Sequence, residues 1–241
     1  MDLPWTLEPL GEDAVLLRLG TRIDLQLNRD VHALAARIAA VRPAWLCDIV
    51  PAYAALALFV DPAHPHAVGR TAQDLLDDWL AALPADAADG RGRVETGTLD
   101  IPVCYDPACA PDLDAVAARA GLDRDEAIAR HCGPEYTVGM IGFAPGFPYL
   151  LGLDPALACP RHATPRTRVP AGSVGIGGHQ TGVYPAGSPG GWQIVGRTPT
   201  VLFDPRRASP SLLQPGQRLR FVSISLAEYS ALAPAADHAH A

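Results

Sequence analysis

With 241 residues, 49% of them hydrophobic and 19% charged, the chain has the makings of one large or two small globular domains rather than a disordered segment. A formal net charge of -7 argues against nucleic acid as the main partner, because phosphate contacts need clustered cations. All 19 basic residues are arginine, which removes Schiff-base chemistry, a lysine general base and the P-loop lysine.

The start, "MDLPWTLEPLGEDAV", lacks the basic and then apolar regions of a secretory signal. Strand periodicity begins at "DAVLLRL" (13–19). "LNRDVHALAARIAAV" then places Val31, Leu34, Ala35 and Ile38 at helical spacing, with Pro43 as a stop. "WLCDIVPAY" and "AALALFV" read as paired strands, and "AQDLLDDWLAAL" as a second amphipathic helix. The order β-α-β-β-α matches most of a ferredoxin-like split βαβ unit, expected over residues 1–90. The longest apolar run, around "IVPAYAALALFV", is broken by Pro51 and too short to cross a bilayer.

"PADAADGRGR" (84–93) has linker composition, and "VETGTLDIPVCY" after it supplies either a last strand of the first domain or the first of the next. "PDLDAVAARAG" and "LDRDEAIARHCG" read as two short helices, the second opened by Asp123 and Glu126 in capping-box spacing. From Glu135 the texture changes. Thirteen of the 22 glycines fall between Gly139 and Gly196, among the short β-favouring runs "YTVGMIGF", "VGIGG", "TGVYP", "WQIVG", "TVLF" and "RLRFVSI". An all-β barrel or sandwich is expected over 91–228, followed by a frayed tail over 229–241. The five cysteines form no C-x-x-C pair and no zinc spacing, so a reduced, cytoplasmic protein without its own metal site is expected.

The glycine-rich stretch "VPAGSVGIGGHQTGVYPAGSPGGW" (169–192) invites several readings. A dinucleotide fingerprint fails because Gln180 stands at the third glycine position and no helix can follow. A Walker loop needs the missing lysine. "AGSVG" and "AGSPG" mimic a nucleophile elbow around Ser173 and Ser188, yet Pro170 and Pro189 and the lack of a following helix oppose it. A linker would not carry Val169, Val174, Ile176, Val183, Tyr184 and Trp192. Short strands with glycine turns remain, either plain barrel turns or a backbone wall beside a ligand.

Three segments, "EYTVGMIGFAPGFPYLLGL", "PRTRVPAGSVGIGGHQTGVYPAGSPGGWQIVGRT" and "LFDPRRASPSLLQPGQRLRFV", resemble in order and spacing the family of the 5-oxoprolinase B component. That family also takes in a Kip-type inhibitor of a sporulation histidine kinase and allophanate hydrolase subunit 1. It is similar to one half of the carboxyltransferase region of urea carboxylase. The resemblance implies an α+β protein, with a small ferredoxin-like α/β N-terminal domain and a cyclophilin-like β-barrel C-terminal domain. It also implies ATP-dependent opening of the 5-oxoproline lactam to glutamate together with subunits A and C, with ATP and Mg²⁺ engaged at the level of the complex. The alternatives it carries are kinase inhibition and a part in urea or allophanate metabolism. No Met-Lys biotin acceptor occurs, so biotin is not expected on this chain.

Within these segments, Arg166 and Arg168 are candidates to clamp a substrate carboxylate, with Gln180, Tyr184 and Tyr149 as further substrate contacts. Glu135, the single carboxylate between Glu126 and Asp154, and His179 are the candidate catalytic groups. Phe143, Phe147 and Trp192 are expected at the interface with the carboxyltransferase-like C component. His131 and Cys132 are discounted as a reactive pair, because adjacent helical side chains point about 100° apart.

Overall fold

In a computed structural model of the chain, residues 5–82 and 97–233 are described. The linker expected over 84–93 and the last residues of the expected tail lie outside them. The chain divides into two compact units, Met1–Glu95 and Thr96–Ala241.

In the first unit, strands β1 (Thr6–Pro9) and β2 (Ala14–Arg18) form a hairpin. Helix α1 (Leu25–Ala40) follows, started by the Asp24 carboxylate, which accepts from the Leu27 amide at 2.9 Å. Strands β3 (Leu46–Pro51) and β4 (Ala55–Val60) and helix α2 (Ala72–Ala81) complete the unit. The sheet order is β1-β2-β4-β3, so β4 lies between the two strands that α1 connects, which is the split βαβ arrangement. Val31, Leu34 and Ile38 bury the helix face read from the sequence, against Leu17, Leu56 and Leu58 of the sheet. The fourth strand position is filled by β1 from the N-terminus. The "VETGTLDIPVCY" segment instead opens the second unit.

There, β5 (Leu99–Cys104) leads into α3 (Leu113–Ala120) and α4 (Arg124–Cys132). The chain continues as β6 (Tyr136–Ile141), β7 (Pro148–Leu151), β8 (Arg166–Val169), β9 (Ser173–Gly177) and β10 (Gln180–Val183). It ends with β11 (Ser188–Gly190), β12 (Gln193–Arg197), β13 (Arg218–Ile224) and α5 (Leu226–Leu232). Seven of these strands close into a barrel in the order β10-β7-β6-β13-β5-β12-β9, sealed by the β9–β10 pair. Its β5–β13 pair is parallel, and β8 and β11 form a separate ribbon. Val138, Leu150, Val174, Ile176, Val183 and Phe221 fill the interior.

Two expectations change here. "TVLF" contributes a lone bridge, Phe203 to Ser211, and no strand, since prolines flank it at 199 and 205. The expected tail from 229 begins inside α5, which a full capping box starts: Ser225 accepts from the Glu228 amide, and the Glu228 carboxylate accepts from the Ser225 amide.

Candidate functional site

β9 and β10 carry small residues on one face and branched ones on the other. Val174, Ile176, Thr181 and Val183 point into the barrel, while Gly175, Gly177 and Gly182 leave its outer wall bare. The indole of Trp192 occupies that bareness. A Cβ on Gly177 would stand 2.8 Å from the indole nitrogen, and one on Gly175 would stand 3.1 Å from the Trp192 Cβ. Phe147 and Tyr149 meet the indole edge-on, with centroids 5.6 and 5.8 Å away, and Tyr184 meets Phe147 at 5.2 Å. With Val169 and Ile194 these rings form a second apolar layer on the outside of the barrel. The glycine stretch is therefore a floor for the protein's own aromatic rings.

This packing corrects three expectations. Phe147 is 1% exposed, Trp192 5% and Tyr184 2%, so the first two offer no surface to a partner and the third offers none to a substrate. Phe143 does stand out. It is 63% exposed at φ +68°, edge-on to Phe147 at 5.4 Å. It is the one non-glycine with positive φ among the described residues. Tyr149 is half-buried.

Arg166 reaches Asp112 at 2.6 Å. Asp112, 7% exposed, stands at the start of α3 but makes no side-chain cap there. Its carboxylate instead accepts from the Ile194 amide at 2.6 Å, and the His162 ring lies 3.4 Å away. Burial works to raise the Asp112 carboxyl, but the hydrogen bonds from Arg166, Ile194 and His162 hold it below the usual carboxylate range. Arg166 therefore has its charge already matched and acts as a strut between β8 and α3. Arg168 is exposed and without an ion pair among the described residues.

His179 is exposed at the tip of the two-residue β9–β10 turn, after Gly178 at φ +66°, as a II′ turn requires of its first central residue. Gln180 follows it, half-buried on the outer face. Glu135 precedes β6, and strand register sets it two strands from β10, about 10 Å at the usual spacing. Its carboxylate accepts from Thr98 Oγ1 at 2.5 Å and from Arg218 at 3.1 Å. The Thr98 hydrogen bond leads in holding it below the ordinary value; burial opposes this, and Arg218 adds to the lowering. A carboxylate so engaged is a poor general base, and the structure does not bring Glu135 and His179 together.

Sequence reasoning missed Asp112, His162 and Arg161. Arg161 is exposed, its guanidinium carbon 5.6 Å from the Trp192 ring centroid. None of the three belongs to a motif. Asp112 read as an ordinary helix start, and only the barrel closure brings it to β12.

His131 and Cys132 do not face each other, as expected, but both meet Tyr105 inside the barrel unit. The Cys132 thiol donates to the Tyr105 hydroxyl at 3.3 Å, and that hydroxyl shares a hydrogen bond with His131 Nδ1 at 2.7 Å. His131 Nε2 lies 3.3 Å from Thr181 Oγ1, which in turn donates to the Gly175 carbonyl at 2.9 Å. The ring, stacked on Phe221 at 4.8 Å, is driven by burial down to about 3 and is neutral. This chain of hydrogen bonds is structural.

A concavity of about 300 Å³ in the first unit, lined by Glu12, Asp13 and Arg70 among others, contains none of the expected residues. No helix is long and apolar enough to cross a membrane among the described residues.

Comparison with known proteins adds identity to this geometry. Residues 5–213 match the family described as carboxyltransferase domain, subdomain C and D. The chain is 40% identical over 239 residues to the B component of the 5-oxoprolinase of Bacillus subtilis, covering 96% of this chain and 98% of that one. The crystal structure of TTHA0988 is 40% identical with a TM-score of 0.74, over 88% of this chain but 40% of that chain. Kluyveromyces lactis urea carboxylase shares the fold at 20% identity and a TM-score of 0.70, over 94% of this chain and 22% of that chain.

Proposed function

The chain belongs to the family of the 5-oxoprolinase B component, and on that premise we propose that it serves an ATP-dependent 5-oxoprolinase that opens the 5-oxoproline lactam to glutamate. The observation that carries this reading is the near full-length match, 96% of this chain against 98% of the B. subtilis protein. Subunits A and C are the partners, the chain is inactive alone, and its compartment is the cytoplasm. Its five cysteines are free thiols, in keeping with a reducing compartment. Two solved relatives carry this unit inside much longer chains, in keeping with a part that works beside other domains.

An unactivated lactam is a weak electrophile, and ATP with Mg²⁺ supplies the phosphorylation that makes its oxygen a leaving group. Among the described residues no three His, Cys, Asp or Glu side chains are gathered around one point. ATP and Mg²⁺ are engaged at the level of the complex on this reading. This chain offers the rim of the aromatic layer that covers β9 and β10. On this reading Gln180 donates to the lactam carbonyl, Tyr149 lines the ring, and Arg168 on β8 adds positive charge. His179 stands at its edge for proton transfer at the attacking water.

Co-purification with homologues of subunits A and C, followed by a 5-oxoproline and ATP turnover assay, tests the reading. Turnover is expected from the complex and none from the chain alone. A wild-type complex that assembles and leaves 5-oxoproline intact would overturn it.

A further inference from the structure

The outer aromatic layer ends in a charge that no carboxylate among the described residues answers. Arg161 lies over the Trp192 indole, and no carboxylate among the described residues pairs with it. Asp112, on the same side of β12, is taken by Arg166, His162 and the Ile194 amide. The backbone on either side of Arg161 is nevertheless pinned. The Pro160 carbonyl accepts from Gln193 Nε2 at 3.0 Å, and the His162 amide donates to the Gly191 carbonyl at 2.7 Å. One residue further back, Cys159 exchanges both backbone hydrogen bonds with Gly178, at 3.2 and 2.7 Å, which ties the loop to the His179 turn.

The indole beneath is equally fixed, floored by Gly175 and Gly177 and wedged by Phe147 and Tyr149. Tyr149 packs edge-on against the same indole, with ring centroids 5.8 Å apart; burial raises its hydroxyl and the Arg161 charge works against that rise. An exposed arginine usually trades partners with solvent. This one sits on a backbone pinned at both neighbours and lies over an indole that a half-buried tyrosine packs against.

We propose that Arg161, lying on Trp192 beside Tyr149, is the anchor for the carboxylate of the small cyclic substrate, which for the reading above is 5-oxoproline. The fork of a guanidinium matches a carboxylate bidentately, and the flat apolar wall beside it suits a five-membered ring. Arg166, the clamp expected from sequence, is spent on Asp112, so the anchoring charge comes from the neighbouring loop.

The inference rests on the 5-oxoprolinase reading, and the test separates the two. In the reconstituted complex, Arg161→Gln is expected to raise KM for 5-oxoproline about 10- to 100-fold, the worth of one charge-assisted contact, with kcat little changed and assembly intact. Arg161→Lys is expected to recover part of that loss. The same lactam without its carboxylate, 2-pyrrolidinone, is expected to be discriminated against by the wild type and not by Arg161→Gln. Turnover by the wild type with KM and discrimination unchanged in Arg161→Gln overturns this inference alone. Loss of assembly in Arg161→Gln, with normal KM once partners are saturating, overturns it in favour of a partner carboxylate. A wild-type complex without turnover removes the reading and the inference together.

Discussion

The two faces of β9 and β10 are built from alternate residues of one short stretch, and they solve the problem of polar groups in opposite ways. Facing inward, Val174, Ile176 and Val183 join the barrel core, and the one polar member, Thr181, closes a hydrogen-bond chain through His131 and Tyr105 to Cys132. Every group in that chain has a partner within the chain itself. Facing outward, bare glycines are covered by Trp192 and Phe147, and the covering layer ends at Arg161, whose charge has no carboxylate partner among the described residues. A satisfied network rigidifies a core. A charge without a carboxylate partner at the edge of a packed layer is what the proposed substrate anchor requires.

Four measurements break or sharpen this contrast. Trp192→Ala strips the outer layer and should cost about 3–5 kcal/mol of unfolding free energy, as large-to-small changes in packed sites do. Urea denaturation reads this directly, and an unchanged midpoint would show that the outer rings are decoration.

His131→Leu attacks the inner face, leaving the Tyr105 hydroxyl without its imidazole partner, at about 1–3 kcal/mol. It also carries a signature in pH. The buried ring stays neutral down to about 3, whereas in the unfolded chain it takes a proton below about 6.5. Between those values the unfolded state binds the extra proton, so stability falls as pH falls, by up to about 1.4 kcal/mol per unit. The Leu variant should lose that share of the slope. Identical pH profiles for the two proteins would mean that the ring is not held neutral.

Gly177→Ala places a methyl group against the indole and should destabilise by about 1–3 kcal/mol through overpacking, less than removing the indole. Greater stability in thermal melts would mean that the floor has slack. Glu135→Gln should change least. Its pairing is exposed, worth about 0–1 kcal/mol, and turnover of the complex should stay within about twofold. A loss of turnover beyond about a hundredfold would restore Glu135 as the base.

Much of the architecture was written in local pattern. The apolar spacing of Val31, Leu34 and Ile38, the Asp123 cap and the glycine-punctuated β runs are near-neighbour signals, and all but "TVLF" became the elements they suggested. The family was legible as well, because its strings depend on order and spacing alone. What escaped was which groups meet. Asp112 and Ile194 are 82 residues apart and Arg166 and Asp112 are 54 apart, so only barrel closure decided that Arg166 is neutralised. Nor does composition reveal that Gly175 and Gly177 are small because Trp192 lies on them. The sequence by itself determined the elements, the two-unit plan and the family, since these rest on periods of a few residues and on ordered strings. The tertiary structure alone decided which aromatic rings are buried, which arginine is matched and which is left open, because burial and charge pairing belong to distances through space.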